Sequence, residues 1–242
     1  MERLLKALSL ILLGLFLYSR VVGDAIFFYI NERFVTLTLL ASGGLLLVGA
    51  SYYLGNRDEE AGASGPSRAR WTGLLILALP FLLGWLVPPR PLGATAMANR
   101  ELAIGGGPGG LRSVSAPADR ATAAVFSGEK NILDWLNTFE QTPELEAHVG
   151  REARVTGFVY RDERIGPDSF LVARYTVSCC VADAAPIGLV VRAEGADVLE
   201  SDSWVEVSGT FRPGEFAGSD IPVLVADSLT PVAQPEQPYL YP

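Results

Sequence analysis

At 242 residues, with 49% hydrophobic and 19% charged residues and a mean hydropathy of +0.28, the chain has room for one ordinary domain plus an apolar part, and it is not a plain soluble enzyme. Two cysteines exclude a disulfide-stapled scaffold and a four-cysteine zinc site, and a single histidine, His148, excludes multi-histidine metal centres and two-histidine catalytic devices. The net charge of -8 divides into +3 through Arg112 (10 Lys and Arg, 7 Asp and Glu) and -11 beyond it (9 and 20), an acidity that repels a phosphate backbone and favours cations over nucleic acid as partners.

The first 90 residues read as a transmembrane domain with spans at about 4–22, 34–54 and 71–87. Leu4 to Val22 is nearly all apolar; it is long for a signal peptide and lacks a small-x-small cleavage site, so it is expected to stay as an anchor. Phe34 to Leu54 ends on Tyr52 and Tyr53, rings that favour the membrane interface. Trp71 to Val87 is bracketed by Trp71 and Trp85, interrupted by Pro80, and stopped by Pro88-Pro89-Arg90-Pro91. Gly43, Gly44, Gly49, Gly73 and Gly84 would let helices approach closely. No carboxylate lies mid-span, so the chain lacks the intramembrane relay of an autonomous pump. Arg3, Lys6, Arg57, Arg68 and Arg70 fall on one side of the spans and Arg20, Arg33, Arg90 and Arg100 on the other, a difference of one charge that puts the amino terminus in the cytoplasm and the acidic part outside it.

Residues 91–124, with Gly105-Gly106-Gly107-Pro108-Gly109-Gly110, have the composition of a linker, and neither flank supplies the strand and helix that a phosphate cradle needs. The domain beyond, 125–231, is therefore expected to fold without the spans, as a fragment beginning at Ala124. In Asn131 to Phe139, the residues Ile132, Trp135, Leu136 and Phe139 form one stripe of a short helix. Five apolar, β-branched runs follow: Ala153–Tyr160, Phe170–Cys179, Ile187–Arg192, Trp204–Phe211 and Val223–Ala226. The polar stretch Ala193–Asp202, long enough for a helical turn, separates the third from the fourth. Three strands, a connector and two strands is the order of an OB-like, five-stranded β-barrel, with another small barrel or a sandwich as alternatives. Phe158, Tyr160, Phe170 and Tyr175 alternate along these strands as core residues do, rather than forming a base-stacking platform. A Pro-rich tail, 232–242, closes the chain.

The sharpest local feature is the adjacent pair Cys179-Cys180, followed by Asp183 and Pro186. Neighbouring side chains on a regular strand point to opposite faces, so the two thiols can meet one ion only where pairing ends or bulges. Three readings stay open. A thiolate pair suits zinc, copper(I) or a metalloid, with Asp183 and the distant His148 as further ligands. A vicinal disulfide suits an extracytoplasmic redox domain, and one buried plus one surface thiol suits a structural role. No Gly-x-x-x-x-Gly-Lys-[Ser/Thr] loop, Gly-x-Ser-x-Gly elbow, His-Glu-x-x-His pair or nucleophile–base set is present, so no enzymatic activity is expected.

Val155-Thr-Gly-Phe-Val-Tyr160, Ala173-Arg-Tyr-Thr-Val-Ser-Cys-Cys-Val-Ala-Asp-Ala-Ala-Pro-Ile-Gly-Leu-Val-Val191 and Asp202-Ser-Trp-Val-Glu-Val-Ser-Gly209 together resemble the carboxy-terminal domain of the YcgQ-like bacterial membrane proteins. The Pro88-Pro89-Arg90-Pro91-Leu92 exit and the closing Pro238-Tyr239-Leu240-Tyr241 resemble that family too. Its members often carry His-Pro before the Arg of the first loop, where this chain has Tyr29-Ile30-Asn31-Glu32-Arg33, so no ligand role carries over to that loop. The resemblance implies a subunit of a two-component permease in the cytoplasmic membrane, partnered by a separate multi-pass permease, and it names no substrate. The expected function is thus a membrane-anchored accessory subunit whose extramembrane domain binds or gates a cargo, in its sharpest form a metal or metalloid ion held by Cys179, Cys180 and Asp183. The alternative is a membrane-anchored thiol redox or envelope protein with no transport role.

Overall fold

A computed structural model describes residues 2–54, 79, 83–97, 100, 102–104 and 130–242. It divides into two compact units, Met1–Arg90 and Pro91–Pro242.

In the first unit, helix α1 (Glu2–Val22) leads through two 3-10 turns, Ala25–Phe28 and Glu32–Phe34, into helix α2 (Val35–Leu54). The Asn31 side chain starts the second turn by accepting the Arg33 amide at 3.1 Å. Helix α2 contains no charged residue and is apolar on every face, with Leu37, Leu40, Leu47 and Leu54 exposed, as suits a helix surrounded by lipid. Glu32–Leu54 is long and apolar enough to cross a membrane, the one such helix among the described residues. Three spans are therefore not shown: α1 forms where the first was expected, but most of Trp71–Val87 lies outside the described residues.

Small residues bring α1 and α2 together. Ala7, Ser42 and Gly49 are buried, and the Ser42 hydroxyl donates to the Gly14 carbonyl at 2.8 Å. A methyl group on Gly49 would sit 2.7 Å from Ile11, so this helix face tolerates no larger residue. Gly43 and Gly44 face open space instead, and Gly73 lies outside the described residues.

The second unit is sheet-rich. Seven strands, β1 (Ala103–Ile104), β2 (Glu152–Tyr160), β3 (Ser169–Thr176), β4 (Ala185–Arg192), β5 (Trp204–Phe216), β6 (Ser219–Pro231) and β7 (Tyr239–Leu240), form one sheet in the order β1-β4-β6-β5-β2-β3-β7, with β3 also paired to β4. Burial alternates along the start of β2, whereas β3 is buried at every position from Phe170 to Thr176, so one strand has a wet face and the other has none. The sheet curls without closing fully. β4 meets β6 in parallel along only two residue pairs, Val191 with Leu224 and Arg192 with Val225, so the closed barrel expected from the strand order is a partly open one. A cleft of about 660 Å³ lies beside those pairs, lined by Asp168, Arg192, Glu194 and Asp227 among others.

β5 and β6 outrun their expected ends. Arg212-Pro213-Gly214, with the residues of a turn, instead continues the ladder, with Pro213 opposite Pro222. The reversal comes at Ala217-Gly218, whose φ angles of 51° and 81° match a tight hairpin turn that follows the twist of the strands. The connector is a single 3-10 turn, Ala196–Val198.

Helix α4 (Ile132–Gln141) plugs the main core, which the strands alone do not fill. Asn131 and Asp134 cap it reciprocally, each side chain accepting the other's amide at 3.0–3.1 Å. Its Ile132, Leu133, Trp135, Leu136 and Phe139 are buried against strand residues including Val155, Phe170, Val207 and Leu224. The Trp135 ring meets Phe211 edge-on at 4.8 Å, and Phe139 meets Phe211 at 5.3 Å.

The segment read as a linker begins as part of this unit. Residues 91–97, 100 and 102–104 form a strap containing the short helix α3 (Ala94–Met97) and strand β1, which pairs with Ile187 and Gly188 of β4. Ala94 and Met97 pack with Phe158, Tyr175 and Tyr239 in a second core, and Ile104 joins Leu171, Val190 and Ile221 in a third. The 105–124 part of the expected linker lies outside the described residues.

Candidate functional site

Strand β3 ends at Thr176, three residues before the expected Cys179, and that early ending lets the thiols converge. The Asp183 carboxylate accepts the amides of Ser178 at 3.1 Å and Cys179 at 2.7 Å, drawing them off the ladder. Cys180 starts a 3-10 turn, Val181–Asp183. The two sulfurs lie 3.7 Å apart as free thiols, with Cys179 exposed and Cys180 partly so.

Two neighbouring segments brace this loop, the tail and the strap. The Val177 amide donates to Leu240 of the tail at 2.9 Å, so the tail, which reads only as Pro-rich, contributes strand β7. The Arg100 guanidinium of the strap donates to the Ala184 carbonyl. The strap is itself fixed by Asp202, which accepts the Ala94 amide, by Tyr175, whose hydroxyl donates to Gly93 at 2.9 Å, and by Tyr239, which accepts the Leu92 amide at 2.9 Å. Arg174 of β3 is buried and holds the tail in turn; it donates to the carbonyls of Gln237 at 2.6 Å and Pro238 at 3.0 Å and lies 5.2 Å from the Trp204 ring. Burial pushes its guanidinium down to about 10, so it stays charged at neutral pH and depends on those carbonyls.

The candidate ligands do not all assemble. Cys179 and Cys180 come together, but Asp183 organises the backbone around them. His148 is buried in another place: its Nε2 lies 2.6 Å from the Thr142 carbonyl and its ring packs on Phe139 at 4.7 Å, so it is a core residue. Among the described residues, no three His, Cys, Asp or Glu side chains form a group that would hold a metal ion. Phe158, Phe170 and Tyr175 are buried and offer no stacking platform.

Hydrogen bonding to Asp183, then to Cys180, pushes the Cys179 thiol up to about 11. Although burial works the other way, the Cys179 thiol and the surrounding amides hold Asp183 below the usual carboxylate range. A thiol protonated at neutral pH is a poor attacking group, which counts against thiol exchange at this loop. A metal ion binding there must displace protons.

The model for the DUF1980 C-terminal domain matches residues 118–242, just over half of the chain. The chain belongs to this family. It is also similar to a Streptococcus mutans protein named "Putative two-component membrane permease complex subunit", at 25% identity over 246 residues covering 88% of this chain and 90% of that one. The UPF0703 protein YcgQ of Bacillus subtilis is 25% identical over 95 residues, 38% of this chain and 33% of that protein. Within the DUF1980 match, the bracing contacts on Arg174, Asp202 and Tyr239 escaped the sequence reading. Arg174 left one signal: a lone cation within the apolar run Leu171 to Val177 must find partners if that run is buried.

Proposed function

We propose that this protein is a membrane-anchored accessory subunit of a permease, with no enzymatic activity of its own, whose extramembrane domain presents the Cys179–Cys180 loop to a cargo. Three spans, Leu4–Val22, Phe34–Leu54 and Trp71–Val87, hold it in the cytoplasmic membrane, and the OB-like unit stands on the extracytoplasmic side. The observation that carries this reading is the converged, solvent-facing thiol pair on a loop braced by the tail and the strap. The similarity along 88% of the chain to a protein named as a permease complex subunit supports the partner. The net charge of the part beyond Arg112, -11, supports a cationic cargo and argues against nucleic acid.

Two measurements test it. The full-length chain should co-purify with its multi-pass permease in mild detergent, and purification of each alone would overturn the reading. Because Cys179 is exposed, a membrane-impermeant thiol reagent should label intact cells; protection until the membrane is permeabilised would place the domain in the cytoplasm.

A further inference from the structure

Resting on the reading of this domain as the cargo-presenting part of a permease, we infer that Cys179 and Cys180 form a two-thiolate capture site for a borderline-soft divalent ion of the zinc class, with Asp183 as its positioning residue. Two sulfurs bound to one tetrahedral ion through bonds of ~2.3 Å stand about 3.8 Å apart. The pair is already at 3.7 Å, so capture needs no movement of the loop backbone. The two Asp183 oxygens hold the amides of Ser178 and Cys179, which fixes the turn that makes the sulfurs converge.

Two protein ligands distinguish this site from a structural zinc site, which is closed by four. On capture, two sulfur–hydrogen bonds break, two metal–sulfur bonds form and both protons pass to solvent. The ion keeps two positions for water or for ligands of the protein that receives it. A site half-open in this way suits hand-over of cargo. The exposure of Cys179 gives the ion a direct approach.

The test uses the purified full-length chain in detergent, with Zn²⁺ as the probe for stoichiometry and affinity and Cd²⁺ as the probe for thiolate charge-transfer absorbance. One Zn²⁺ per chain is expected by native mass spectrometry. Asp183→Asn should weaken Zn²⁺ binding by roughly 10–100-fold, as loss of a supporting residue does, while leaving the saturated Cd²⁺ absorbance unchanged because both thiolates remain; Asp183→Glu should recover part of the affinity. Cys179→Ser and Cys180→Ser should each weaken binding further and halve that absorbance, and Cys179→Ala and Cys180→Ala should repeat this with β-strand amide exchange unchanged. The inference fails if Zn²⁺ is not retained at micromolar free ion or if both serine variants bind as the parent does. It also fails in part if Asp183→Asn alters the saturated Cd²⁺ spectrum, which would make the carboxylate a ligand. A chain that co-purifies with the permease but binds no Zn²⁺ sinks this inference alone, and one that binds Zn²⁺ but fails to co-purify with the permease sinks the accessory-subunit reading.

Discussion

Trp135→Ala should destabilise the sheet-rich unit by about 3–5 kcal/mol, the usual cost of removing a fully buried tryptophan. Trp135 is 0% exposed and touches Phe139 and Phe211, so its loss leaves a cavity between α4 and β5 that neighbouring rings cannot fill without leaving their own contacts. Its indole Nε1 has no hydrogen-bond partner among the described residues, so Trp135→Phe should cost much less, about 1.5 kcal/mol or below. Amide exchange in the full-length chain would show the effect: α4, β2 and β5 should open roughly 100–4,000-fold more often in the alanine variant than in the parent. Unchanged exchange would mean that α4 does not plug this core.

The second large effect concerns where the folding unit begins. A fragment Pro91–Pro242 should unfold cooperatively, whereas one starting at Ala124 should be markedly weaker. The shorter fragment loses the burial of Met97 and Ile104, worth at most about 3–6 kcal/mol together. It also takes the hydrogen-bond partners from the hydroxyls of Tyr175 and Tyr239, which face Gly93 and Leu92. Urea midpoints of the two fragments provide the check, and equal midpoints would show that the strap adds nothing to the fold.

The strap also marks where sequence reasoning reached its limit. The stripe Ile132, Trp135, Leu136 and Phe139 gave α4 directly, because helical periodicity over two turns leaves little choice, and the five β-branched runs located the central strands. The sequence of Pro91–Ile104 has no such period: α3 spans four residues and β1 two, so α3 depends on Asp202, Tyr175 and Tyr239 and β1 on its pairing with β4, all distant in sequence. The β7 strand was hidden for the same reason, since Tyr239 and Leu240 take their place only against Tyr175 and Thr176.

At the thiol loop, the sequence showed that Cys179 and Cys180 could converge only if β3 ended, but not what ends it. That agent is the Asp183 carboxylate, which reads as a candidate ligand and acts as a backbone acceptor. Spacing of three and four residues fits both roles, and the amide contacts at 2.7 and 3.1 Å show the second. His148 was the weakest inference from composition: a lone histidine is more readily a core residue, and here Phe139 and the Thr142 carbonyl hold it.

The most direct test of the whole account is zinc flux across the membrane of cells carrying the permease with either the parent chain or the Cys179→Ser, Cys180→Ser double variant, at matched membrane levels of both proteins. Flux with the double variant should fall to that of the permease alone, with the complex still assembled. Flux equal to that of the parent chain would contradict it.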